Sequence, residues 1–256
     1  MTLPFDEVGT GPAVVLLHAG IADRTMWSEH LEPLAAAGYR VVALDLPGFG
    51  EAAVQPGEQA PWIDVLGAMR DLEIDSAALV GNSFGGAVAL RAAVVAPAAV
   101  WGPALISAPA PGMEPSERLR AAWETEEAAL DRGDIDAAVK AIVEAWTLPD
   151  APQELRDRIA AMQRRAFELQ AEANEVTEAA DPLDERPEAV AELDVPTAVT
   201  AGEHDMPDFI ESAKELGRAL ADGSYELIPG AGHLAPLETP EAFRTLLVDF
   251  LREVTG

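Results

Sequence analysis

The 256-residue chain predicts an α/β protein, with a doubly wound, mostly parallel sheet interrupted by a helical cap. Three observations carry this. Short continuous apolar runs end in turn residues at 14–17, 41–44, 77–80, 104–106 and 197–200. Strands apolar on both faces belong in a parallel sheet covered by helices. Helical patterns at about 25–37, 62–72, 84–96, 209–221 and 240–254 separate the runs, and that alternation is the signature of a doubly wound sheet. The alternation stops between about 109 and 195, where the chain turns helical and strongly charged.

Taken in order, residues 3–8 form an additional strand that turns at Gly9-Thr10-Gly11 into the first buried one. The interruption reads as helices at 115–131, 135–146 and 152–180, with Asp134 and Asp150 near helix starts as caps. Pro109, Pro111, Pro182, Pro187 and Pro196 punctuate the two joins. The expected organisation is a core of 1–108 and 196–256 carrying a cap of 109–195. The last strand is expected at 225–228. Residues 172–192 are acidic but too few for a disordered tail.

Composition narrows the function classes. Forty-five acidic against 17 basic residues leave a net charge of −28, a surface that repels nucleic acids and anionic lipid. The chain has no cysteine, hence no disulfide, thiolate nucleophile or thiolate ligand. The histidines lack the spacing of a zinc helix, so no metal or cofactor is expected. The first residues hold no basic region followed by an apolar run. The apolar stretch 87–111 is broken by Arg91, Pro97 and Pro103. Cytoplasmic location without membrane association is the expectation; a homodimer is compatible with the sequence.

The chemistry centres on Gly81-Asn82-Ser83-Phe84-Gly85, between a buried strand and a helix. A serine at the apex of such a turn is presented as a nucleophile. With seven serines and 20 glycines, roughly 0.04 matches to Gly-x-Ser-x-Gly arise by chance, so partners in the right order decide. A serine hydroxyl needs a base, and the base an orienting acid. Of four histidines, His233 lies in the loop Pro229-Gly230-Ala231-Gly232 after the last strand. Asp205 follows the strand near 200, with Glu203 and Asp208 as neighbours able to substitute. The oxyanion donors are assigned to the N–H groups of Phe84 and Gly20. His18 braces the loop holding Gly20, and His204 is structural.

Leu16-Leu17-His18-Ala19-Gly20, Asp45-Leu46-Pro47-Gly48-Phe49-Gly50, the serine motif, Gly202-Glu203-His204-Asp205 and Gly230-Ala231-Gly232-His233 together resemble the α/β-hydrolase-fold serine hydrolases over nearly the whole chain. The order Ser83, Asp205, His233 is that fold's order. Two positions depart from the family pattern: Ala19 replaces a glycine after His18, and Glu51 stands where small polar residues are common. The resemblance implies that Asp45 supports loop structure. It also implies small esters, lactones or enol-lactones as substrates, with C–C bond hydrolases, perhydrolases and aryl esterases of similar layout.

Trp27, Phe84, Met113, Trp123, Trp146, Phe167 and Met206 are candidates to line the pocket, with Trp27, Trp123, Trp146 and Met206 assigned to substrate. The expected activity is metal-free hydrolysis of a small to medium, largely apolar carboxylic ester or lactone through an acyl-enzyme. The rivals are a C–C hydrolase, perhydrolase or lyase on the same triad, and a ligand receptor with a hydrolase-like body. An inward arginine among Arg91, Arg164 and Arg165 would favour an anionic substrate.

Overall fold

The computed structural model describes residues 3–221 and 224–255. Its strands are β1 (Phe5–Val8), β2 (Ala13–Leu17), β3 (Arg40–Leu44), β4 (Gly57–Gln59), β5 (Ala77–Asn82), β6 (Ala104–Ile106), β7 (Val176–Glu178), β8 (Ala198–Gly202) and β9 (Ser224–Ile228). Its α-helices are α1 (Ser28–Ala36), α2 (Pro61–Asp71), α3 (Phe84–Val95), α4 (Glu117–Asp131), α5 (Ile135–Trp146), α6 (Gln153–Ala171), α7 (Pro182–Glu185), α8 (Pro207–Ala219), α9 (Ala235–Glu238) and α10 (Pro240–Thr255). Seven strands form one sheet in the order β1-β3-β2-β5-β6-β8-β9. Only β1 runs antiparallel in it.

The continuous apolar runs are buried on both faces, as their composition requires. Val14 and Leu16 of β2 pack in one cluster with Leu34 of α1 and Phe243 and Leu247 of α10. Val15 and Leu17 face the other way, onto Met69 of α2, Leu90 of α3 and Leu216 of α8. The chain leaves β2 for β3 on one side, then returns past it to β5. Ligand sites of open α/β sheets lie where the strand order reverses in this way, beyond the carboxyl ends. Leu17 pairs with Gly81 at that end, so the loop after β2 and the turn after β5 are neighbours.

Between β6 and β8, α4, α5 and α6 form the helical insertion. Asp134 caps α5, its side chain accepting the Ala137 N–H. Asp150 does not cap α6, which starts after Pro152 with no side-chain cap. The helix expected over 152–180 stops at Ala171, because Val176–Glu178 instead pairs with Gly57–Gln59 in a small parallel ladder. Downstream, Leu183, Ala189, Val190 and Leu193 pack with α3 and the sheet. That stretch therefore belongs to the core layer, and the helices over the site are α4–α6. Ser116 anchors their start: its N–H and hydroxyl donate to Asp208 at 2.6 and 2.9 Å. Gln170 donates to the Gly48 carbonyl at 3.3 Å near their end. Among the described residues no helix is long and apolar enough to cross a membrane.

Candidate active site

The turn after β5 is tight. A Cβ on Gly81 would stand 2.2 Å from the Gly85 carbonyl oxygen, and one on Gly85 would stand 2.3 Å from the Leu17 oxygen. Only glycine allows strand, turn and helix to approach so closely. Ser83 at the apex has φ 54° and ψ −115°, a conformation that costs a non-glycine residue free energy and is held here by its surroundings. Its N–H donates to the Ile106 carbonyl at 2.7 Å, and its own carbonyl accepts from Ala87 at 3.0 Å. Phe84 opens α3, so its N–H has no intrahelical acceptor. Gly20 sits against it: a Cβ there would be 3.4 Å from the Phe84 Cβ.

The loops after β8 and β9 are joined along their backbones. Glu203 donates to the Ile228 carbonyl at 3.0 Å and His204 to the Ala231 carbonyl at 2.8 Å. Gly202 is required there, since a Cβ would lie 2.0 Å from the Gly232 oxygen. This brings Asp205 beneath His233, with 2.9 Å between Oδ1 and Nδ1 and both side chains buried. The same Oδ1 accepts the Met206 N–H at 2.7 Å. A buried carboxylate on Nδ1 selects the tautomer that leaves Nε2 free to accept a proton. The imidazole packs against Trp146 and Phe209, with ring centroids 4.5 and 4.3 Å away, and those two rings touch each other at 5.7 Å.

The neighbours that could have replaced Asp205 are engaged elsewhere. Asp208 holds Ser116, and Glu203 accepts the Gly230 N–H at 3.0 Å. His204 is exposed, 3.8 Å from Glu203. His18 is wholly buried, and burial lowers its pKa. Its Nε2 accepts the Leu46 N–H at 2.9 Å and its Nδ1 donates to the Ala19 carbonyl at 2.8 Å. It is thus a neutral brace between the loop holding Gly20 and the turn after β3. Within that turn Asp45 accepts N–H groups from Arg24 and Glu51, each at 2.8 Å. Glu51, the departure from the family pattern, also pairs with Arg24 at 2.9 Å.

A cavity of about 360 Å³ opens between core and insertion, and both Ser83 and His233 line it. Among the described residues no hydrogen bond joins their side chains. Gly20, Phe84, Met113, Trp123 and Trp146 line the cavity too. Trp27 and Met206 do not. Trp27 is completely buried against His30 and Phe243, under α10. Met206 is a buried residue at the start of α8, facing the core. Phe167 likewise packs inside the cap–core cluster. A large apolar side chain near a motif carries no sequence signal for which face it takes.

Four polar residues escaped sequence reasoning. Asn82 is buried, and its amide donates to the Ile106 and His233 carbonyls at 3.2 and 3.1 Å, tying nucleophile strand to base loop. Glu238 accepts the N–H groups on either side of His233, from Gly232 at 2.8 Å and Leu234 at 3.1 Å. Burial pushes its carboxyl above the usual range. An acid five residues past the histidine, returned by the short α9, is the signal that could have found it. Glu126 and Gln163 line the cavity from α4 and α6, with nothing in local pattern to mark them.

The chain is similar over most of its length to known hydrolases. Over its aligned length the chain is 30% identical to 2-hydroxy-6-oxo-6-phenylhexa-2,4-dienoate hydrolase of Burkholderia cepacia, covering 96% of this chain and 90% of that one. Among solved structures it resembles a thermophilic esterase from Thermogutta terrifontis, with TM-score 0.79, 27% identity, and 99% and 94% of the two chains covered. It also resembles the enol-lactonase from Burkholderia xenovorans, with TM-score 0.79, 25% identity, and 98% and 96% covered. The model of the alpha/beta hydrolase family matches residues 14–246, and the chain, with the α/β-hydrolase fold, belongs to that family.

Proposed function

We propose that the protein is a serine hydrolase of uncharged carboxylic esters or lactones. His233 Nε2 takes the Ser83 hydroxyl proton as Oγ attacks the carbonyl carbon. The Phe84 and Gly20 N–H groups hold the oxyanion that forms. His233 then gives the proton to the departing alkoxide, leaving an acyl-enzyme. Water, deprotonated by His233, attacks the acyl carbon and returns Ser83 and the free acid. Asp205 holds the imidazole and offsets its positive charge in the charged steps.

The observation that carries the reading is one cavity wall shared by Ser83, on its positive-φ turn, and His233, on a buried aspartate. A second reading, C–C bond hydrolysis on the same residues, is favoured by the dienoate hydrolase likeness. The cavity lining argues for the ester. A dienoate carries a carboxylate, whereas the cavity lining holds a glutamate and no lysine or arginine among the described residues. Arg91 pairs with Asp181, Arg164 with Asp136 and Arg165 with Glu168.

A fluorophosphonate probe tests the nucleophile, and a panel of esters, lactones and a 2-hydroxy-6-oxo-dienoate tests the reaction. Labelling should be confined to Ser83, and Ser83→Ala should lower kcat by about 10⁴-fold or more. Near-normal turnover in folded Ser83→Ala protein would end the proposal. Turnover of the dienoate well above every ester would favour the second reading.

A further inference from the structure

The cap side of the cavity is not uniformly apolar. Glu126 of α4 and Gln163 of α6 both line it, whereas the polar groups on the core side are Ser83 and His233. Gln163 is only 3% exposed, and its Oε1 is buried without a hydrogen-bond partner. Glu126 is half-buried, and loss of water raises its pKa. Ile142, Trp146 and Met113 also line it, and of these only the Trp146 indole N–H can donate a hydrogen bond. Two cap cations outside the cavity lining are paired, Lys140 with Glu144 at 3.7 Å and Arg165 with Glu168 at 3.2 Å.

Buried polar groups are stable only when partnered. Among the described residues no side chain supplies a partner for the Gln163 Oε1, and a ligand in the cavity can. Resting on the ester reading, we propose that Glu126 and Gln163 form a specificity subsite for an uncharged hydrogen-bonding terminus, a hydroxyl or carboxamide, at the end of the substrate remote from the scissile bond. Such a group donates to the Glu126 carboxyl and exchanges hydrogen bonds with the Gln163 amide. A carboxylate terminus is excluded by charge. It brings a second anion beside Glu126 in a poorly solvated space, and like charges so placed cannot both stay ionised without cost. A methyl terminus leaves both polar groups unpaired.

The test is a set of p-nitrophenyl esters of matched chain length ending in methyl, hydroxyl, carboxamide, carboxylate or ammonium. For the wild-type protein, kcat/KM should be about tenfold or more higher for the hydroxyl and carboxamide esters than for the methyl ester, the worth of one hydrogen bond between desolvated groups. The carboxylate ester should be the poorest. Glu126→Gln should raise the carboxylate-to-methyl ratio by about tenfold, and Gln163→Leu should lower the hydroxyl-to-methyl ratio by a similar factor. Equal use of methyl and carboxylate esters overturns the subsite, as do ratios unmoved by both substitutions. Preference for the ammonium ester assigns Glu126 to cation binding and overturns the uncharged class.

The wild-type panel decides even if neither variant folds. If no ester is hydrolysed and Ser83 stays unlabelled, it is the ester reading that has failed. Calorimetric binding of hexanamide against hexanoate to the wild-type protein then decides the subsite, tighter hexanamide supporting it and equal or tighter hexanoate overturning it.

Discussion

Replacing Ser83 with glycine should abolish activity and make the protein more stable. Ser83 sits at φ 54° and ψ −115°, where a Cβ is crowded and a glycine is at ease; holding a non-glycine residue there costs about 1–3 kcal/mol. The hydroxyl caps nothing on α3, so its loss sacrifices no helix-capping hydrogen bond. Against the relief stands the extra entropy of an unfolded glycine, about 0.5–1 kcal/mol. The net is a gain of about 0–2.5 kcal/mol. Unfolding entropy scales to about 0.5 kcal/mol per kelvin for a chain of 256 residues, so Tm should rise by up to about 5 °C. Ser83→Ala keeps the Cβ and the strain, and its Tm should stay near that of the wild type. Calorimetry on the three proteins, with fluorophosphonate labelling as the activity control, makes the comparison. A Ser83→Gly protein melting at or below Ser83→Ala would refute the idea that strain is stored at the nucleophile.

Three further outcomes follow from the site. Glu238→Ala removes the acceptor for both N–H groups flanking His233; kcat should fall by about tenfold or more and stability by about 1–3 kcal/mol. Glu238→Gln, which keeps one acceptor oxygen, should fall between in both kinetics and urea melts. Trp123→Ala opens a wall of the cavity that is 43% exposed, so KM and acyl-chain preference should shift more than kcat while Ser83 labelling persists; an unchanged substrate profile counts against the cavity as binding site. Burial lowers the pKa of His30 from 6.5, so the unfolded chain binds the extra proton and stability falls as pH drops below about 6.5. His30→Leu should lose that contribution, and the wild-type advantage in urea unfolding should shrink from pH 7 to pH 5; a constant difference would contradict the burial argument.

The core was legible because its signals are local. Five apolar runs, the order of the helices, and the Gly-x-Ser-x-Gly turn are each set by short-range sterics or by burial on both faces of a strand, and each leaves its mark in adjacent residues. The same locality marks Ser83, His233 and His18, each of which lies in a short turn or loop at a strand's carboxyl end. Asp205 was chosen over Glu203 and Asp208 by its position after the strand. Among the described residues Asp205 reaches His233 Nδ1, whereas Asp208 and Glu203 accept from Ser116 and Gly230 instead. Contacts between distant segments were out of reach. The helix expected to 180 ends at Ala171 because an exposed strand pairs with residues more than a hundred positions earlier. Trp27 and Met206 looked like pocket residues, but an indole or thioether packs equally well in a core, and only the crossing of α1, α8 and α10 over the sheet decided for the interior. Glu126 and Gln163 face the cavity through the way α4 and α6 lie across it. That wall joins residues 37 positions apart on two separate helices, and no run of neighbouring residues encodes the pairing.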